Sequence, residues 1–342
     1  MSKNKARKIS DEFVLNLKTG VLAPFLLLAK KDATLFVGIR NNYINVYYRG
    51  GNLVKITEKT SSGNVPTYIG EFDKEYVKNA DILKRLAGIN GKLLTPEAVK
   101  EWINILPSLK NEMDVHPKLG QEREFQQLIA RDCNGLSIRG DKSSPSDYFI
   151  CDIEYAEEFG GTNARFDMLG VLWESNSQKR QNKAEKKLAI IEVKYEEAAL
   201  LKKTGGDAKK SDIPEHITDL NKFLSKPEYV ENLKKDAISA FNQLVDLGLL
   251  RNHHHLEGFS KEIEYILILI NHDPESEILL SALMQAGLPV GAELKFATST
   301  FMGYRLFKEN IYPVTEFLAK YKDSIYSKRK YDYGALLAKY TR

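Results

Sequence analysis

The strongest constraint in this chain is an apolar run carrying charged residues where a buried strand seldom has them. Residues 187–195 (KLAIIEVKY) set Leu188, Ala189, Ile190, Ile191 and Val193 in nearly unbroken succession, the pattern of a strand covered on both faces. Glu192 and Lys194 close that run, and such residues are rarely buried without a partner. Side chains alternate along a strand, so these two point to one side, roughly 6–7 Å apart. A second run, residues 164–173 (ARFDMLGVLW), holds Asp167 among apolar neighbours. If the two strands pair, two carboxylates and one ammonium converge on a hydrophobic sheet. One reading of that convergence is a structural ion pair, Lys194 with Glu192 or with Asp167. The other is a site for a hard divalent cation, Mg²⁺ or Mn²⁺. Carboxylate oxygens suit such ions, and the ammonium can orient a water or meet a phosphate oxygen.

The chain around these strands alternates helix and strand. From Thr34 to Ile56 the pattern is β, with a hairpin signal at Arg49, Gly50, Gly51 and Asn52. Tyr43, Tyr47, Tyr48 and Arg49 form an aromatic and basic cluster there, read as cross-strand pairs in preference to a stacking surface for bases. Residues 73–89 and 96–106 read as helices, and 107–117, with a proline at each end, reads as a linker. Residues 121–131 (QEREFQQLIAR) form a helix with Phe125, Leu128 and Ile129 on one face, and a solvated face with Glu122, Glu124, Arg123 and Arg131 is one reading of its polar side. Residues 147–155 make a strand on which Asp152 and Glu154 fall on the solvent side. Residues 237–250 make an amphipathic helix and 264–270 (EYILILI) another buried strand. The expected division is an N-terminal α/β module, residues 1–115, and a second domain, residues 116–342.

This order of helix, three strands, helix and strand, with Asp167 on the second strand and Glu192-x-Lys194 on the third, resembles the core of the PD-(D/E)XK nuclease superfamily. The resemblance covers roughly residues 116–275. Phe166 stands where proline is often found, and the excursion over 174–186 lengthens the Asp-to-Glu separation. The fold it implies is α/β, a restriction-endonuclease-like αβββαβ core with a mixed central sheet, beside the N-terminal α/β module. The function it implies is metal-dependent hydrolysis of phosphodiester bonds, in DNA more than in RNA. By the same resemblance Asp167 and Glu192 hold the metal, with the Val193 carbonyl as a third ligand, and Lys194 positions or deprotonates the attacking water. The helix before the strands often supplies an acidic residue, for which Glu124 is preferred to Glu122. Gln243, on the later helix, is a polar candidate that could approach the site, though its reading as a surface glutamine is preferred.

Charge and composition agree with such a reading without demanding it. The net charge of +4 permits a nucleic-acid partner. Lys179, Arg180 and Lys183 lie in the excursion between the two key strands, a candidate phosphate-contacting loop, and further basic clusters fall at 202–210 and 328–330. Residues 1–10 read as a loose basic arm. Cys133 and Cys151 lack metal-ligand spacing and read as reduced core thiols. His253, His254 and His255 read as loop residues, because adjacent histidines cannot all face one metal on a regular element. Residues 21–29 are too short to cross a bilayer and are shaped unlike a signal peptide, so a cytoplasmic location without a membrane partner is expected. There is no Gly-x-Gly-x-x-Gly, Walker lysine or nucleophile elbow. A non-catalytic binding module of the same fold is the rival reading, and a ligand-sensing N-terminal module a third; a homo-oligomer is compatible with all of them.

Overall fold

The computed structural model describes residues 7–60, 66–117, 120–135, 146–159, 162–173, 186–200, 212–250, 254–271, 277–299, 311–320 and 332–341. It is mixed α/β with two sheets. Residue contacts divide the chain into two compact units. The first comprises Met1–Pro145, Ile150–Asp152 and Lys235–Glu257, and the second comprises Ser146–Phe149, Ile153–Lys234 and Gly258–Arg342. The helix at 121–133, grouped by sequence with the second domain, thus falls in the first unit.

In the first unit, α1 (Asp11–Thr19) begins at Ser10, whose Oγ accepts from the Phe13 N–H, and α2 (Ala23–Lys31) begins with Pro24 in its first turn. A five-stranded sheet follows in sequence order: β1 (Leu35–Ile39), β2 (Tyr43–Tyr48), β3 (Gly51–Thr60), β4 (Pro66–Glu71) and β5 (Lys92–Leu93), each antiparallel to the next. The expected hairpin is present: Arg49 and Gly50 sit at φ 47° and 74°, the double left-handed turn that matches strand twist. Three helices complete this part, α3 (Ala80–Ile89), α4 (Pro96–Val115) and α5 (Gln121–Cys133).

Five expectations fail in this unit, each because tertiary burial outweighs a local signal. The linker expected from Pro107 is helix to Val115. An interior proline costs about 3 kcal/mol. Trp102, Ile105, Leu106, Leu109 and Met113 are all buried on that helix, and each contributes roughly 1.5–3 kcal/mol. The arm is not loose from Arg7 onward: Arg7 is buried and Ile9 fully so. Asp152, expected at the solvent, is 1% exposed and carries two buried partners, Arg7 and Arg40. The strand's alternation breaks just beyond it, where Glu154 adopts φ 55°. Gln243, expected at the surface, is buried and grips the Ile9 backbone, accepting from its N–H at 3.0 Å and donating to its carbonyl at 2.8 Å. Arg131 is also buried, not solvated. Cys133 and Cys151 are buried free thiols, as expected.

In the second unit the sheet order is β11-β10-β9-β8-β7-β6. The strands are β6 (Tyr148–Phe159), β7 (Thr162–Leu172), β8 (Lys187–Tyr195), β9 (Ile263–Ile270), β10 (Glu293–Ser299) and β11 (Tyr312–Pro313). β7 and β8 are antiparallel, whereas β8, β9 and β10 run parallel. A parallel connection requires a crossover, and two helices lie between β8 and β9 in the chain, α6 (Ile213–Leu224) and α7 (Pro227–Asp246). All of β9 and the centre of β8 are buried, as their apolar runs require. Beyond β9 come α8 (Glu277–Gln285), β10, β11, α9 (Val314–Lys320) and α10 (Tyr333–Tyr340). Among the described residues no single helix is long and apolar enough to cross a membrane.

Candidate active site

The β7–β8 ladder runs from Leu172↔Lys187 to Met168↔Ile191. Asp167 stands one residue beyond its last pair. There the Asp167 carboxylate, not a strand carbonyl, accepts the Val193 N–H at 2.7 Å. The side chain so closes the ladder and holds itself against β8 beside Glu192. A buried N–H needs an acceptor, and here an acidic residue supplies it. Val193 therefore enters the site by its amide.

Glu192 and Lys194 share one side of β8, as alternation demands, and each is only 4% exposed. The Lys194 ammonium lies 2.9 Å from Glu192 and 3.0 Å from Asp212. Asp212 immediately precedes α6 and does not cap it, its side chain turning to Lys194. One turn on, His216 brings Nε2 to 3.2 Å from Asp212 and 3.4 Å from both Glu192 and Lys194. Two carboxylates favour a proton on that nitrogen, while the ammonium opposes it. Burial works against the charge of His216, but the Asp212 hydrogen bond and Glu192 outweigh it and raise the pKa above the ordinary value. Burial likewise disfavours the Asp212 carboxylate, and His216 and Lys194 more than offset this, holding its pKa low. Asp212 Oδ1 is left buried without a donor.

Tyr265, on β9 opposite Ile190, completes the setting. Its phenol is pushed well above the usual range by burial first, then by Glu192, Asp167 and Asp212. Three carboxylates therefore act on one hydroxyl. Glu192, His216, Tyr265, Phe166, Arg165 and Asp219 line a cavity of about 220 Å³. That is smaller than the usual 300–1,000 Å³ of drug-sized sites, but ample for water and a phosphate group.

Asp167, Glu192, Val193 and Lys194 are thus brought together. Asp212, His216 and Tyr265 were not anticipated. The first two sit at i and i+4 around Pro214, a helix-start signature that places two polar groups on one face, and Tyr265 is, with Glu264, one of two polar-tipped side chains in an otherwise aliphatic run. Glu124 belongs to the first unit, where Arg49 grips it through Nε at 2.9 Å and Nη2 at 3.0 Å. Lys179, Arg180 and Lys183 lie outside the described residues, as do His253 and the basic clusters at 202–210 and 328–330. At the edge of that loop Lys186 stands over the Trp173 ring at 4.7 Å, and Lys187 pairs with Glu262. His255 pairs with Asp246 at 2.8 Å.

Among the described residues no three His, Cys, Asp or Glu side chains form a ready ligand cage. Mg²⁺ does not need one, since one or two carboxylates with waters and phosphate oxygens suffice. The Asp212 Oδ1 atom, buried without a donor, is the one hard oxygen near Lys194 left open to such an ion among the described residues. Comparison with family models, with curated proteins and with solved structures returns no match for this chain.

Proposed function

We propose that this protein is a divalent-metal-dependent phosphodiesterase of the PD-(D/E)XK nuclease type, with an αβββαβ core, acting on DNA. The observation that carries the reading is that Asp167, Glu192 and Lys194, from two neighbouring strands of a mixed sheet, meet at the point where the β7–β8 ladder ends. Asp167 and Glu192 are the residues that hold Mg²⁺ or Mn²⁺. An ion held there would supply positive charge for the scissile phosphate and a more acidic water. Lys194, on the same side of β8 as Glu192, offers its ammonium where negative charge accumulates on the phosphorus oxygens. Asp212 and His216 position that ammonium, and the cavity beside Glu192 admits the water.

A specific observation favours a second reading, the non-catalytic binding module. Glu192 and Lys194 are each 4% exposed and already paired, as a structural ion pair would be. Incubation with linear, circular and single-stranded DNA and with RNA, in Mg²⁺, Mn²⁺ or EDTA, separates the two. The nuclease reading expects cleavage with either metal, none in EDTA, and loss of at least about 100-fold in Asp167→Asn protein, on the scale of removing a group that acts in the transition state. Cleavage that persists in Asp167→Asn protein, or binding without cleavage under every condition, refutes it.

A further inference from the structure

The first unit contains a cavity of about 320 Å³ whose wall includes Thr34, Tyr48, Arg49, Glu124, Gln127 and Arg131. Glu124, Gln127 and Arg131 recur on α5 at spacings of three and four, so one polar stripe of that helix faces the space. Most polar groups on the wall are engaged. Arg49 forks onto Glu124 and reaches Asp114 at 3.0 Å, to which the Tyr48 hydroxyl also donates at 2.9 Å. Gln127 accepts the Gly50 N–H at 2.6 Å and donates to the carbonyls of Thr34 and Tyr47. Lys110 holds both Thr34 and Asp32 at 2.7 Å.

Arg131 is the exception. It is 9% exposed, its Nε is buried without an acceptor, and among the described residues no hydrogen bond or ion pair reaches its guanidinium. Burial depresses its pKa, and Asp132 and Asp32 act on it only through space. A guanidinium withdrawn from water without a partner is costly, and natural interiors pair such groups. Its planar fork matches carboxylate and phosphate oxygens. Arg49 engages both neighbouring carboxylates, Asp114 and Glu124, and offsets one of their two negative charges, which weakens their repulsion of an anion at Arg131.

We propose that this cavity binds a small molecule bearing a phosphate or carboxylate group, with Arg131 as the residue that receives the anion. The volume, at the lower end for ligand sites, suits a metabolite-sized molecule. The proposal does not depend on the nuclease reading, since every residue it uses lies in the first unit.

The test is calorimetric titration of the whole 342-residue chain with inorganic phosphate, glycerol 3-phosphate and succinate, at ionic strength matched with NaCl. Saturable binding of one class is expected, and the comparison of the phosphate and carboxylate arms identifies which. Arg131→Met should weaken that binding at least about tenfold, the scale of one lost charged hydrogen bond. The ligand-free melting temperature of that variant should be equal or higher, because an uncompensated buried charge is removed. Arg131→Lys, which keeps the charge but not the fork, should also bind at least about tenfold more weakly, and it carries the test if the methionine variant does not fold. Absence of saturable binding to all three probes, or affinity unchanged in the variant that folds, overturns the proposal.

Discussion

Replacing Lys194 by methionine keeps a long side chain and removes its charge, which makes it a sharp probe of the site. The ammonium stands 2.9 Å from Glu192 and 3.0 Å from Asp212, and Glu192 is 4% exposed. Deleting one partner of a buried ion pair costs about 3–5 kcal/mol, a large share of a typical stability of about 5–15 kcal/mol. His216 is placed to soften the loss. Its Nε2 is 3.4 Å from Glu192, and Lys194 is one of the groups that hold its pKa down. Without Lys194 that opposition is gone, and the imidazolium becomes the counter-ion of Glu192. A histidine whose folded pKa exceeds its unfolded value, here 6.5, contributes fully below that value. The contribution is lost as pH rises through the folded pKa. The substitution should therefore cost the full amount, about 3–5 kcal/mol, at pH 9. At pH 5.5 the cost should fall by about 1.5 kcal/mol, the lower end for a charged hydrogen bond because 35% of the His216 side chain is exposed. Urea unfolding in EDTA at both pH values, for Lys194→Met with and without His216→Gln, measures this. A cost that does not change with pH, or a pH dependence that survives His216→Gln, would refute the reasoning.

Asp152→Ala removes the carboxylate shared by the buried guanidinium groups of Arg7 and Arg40 and should lower the unfolding free energy by about 3–5 kcal/mol in denaturant titrations; a loss under about 1 kcal/mol would mean that other partners, such as the Ile39 carbonyl and the Tyr47 hydroxyl for Arg40, suffice. Gly50→Ala should destabilise by about 1–3 kcal/mol from backbone strain alone, because Gly50 sits at φ 74° and a Cβ would fall 2.6 Å from the Arg123 backbone. A melting temperature equal to that of the unaltered protein would contradict the turn geometry.

Much of the fold was legible because it is written in local patterns. The apolar runs at 187–195 and 264–270 read as strands covered on both faces, and both are so covered. Arg49-Gly50 states a two-residue turn, and strand alternation alone places Glu192 and Lys194 on one side. The pairing of β7 with β8, which brings Asp167 to them, followed from adjacency in sequence.

What the sequence by itself determined is the strands around residues 43–56, 147–155, 164–173, 187–195 and 264–270, and the shared side of Glu192 and Lys194, since these depend on a period of two. Only the tertiary structure decided which polar groups are buried and what meets them. Asp152 and Glu154 read alike in the strand, yet Asp152 is sealed because Arg7 and Arg40, far away in the chain, supply its counter-charge. Pro107 reads as a break, yet α4 continues because its buried stripe outweighs the proline. Asp212 and His216 join Lys194 across an excursion of the chain, and Arg131 faces a cavity that no helical period foretells. Electrostatic energy depends on through-space distance and on local water, and neither is a function of position along the chain.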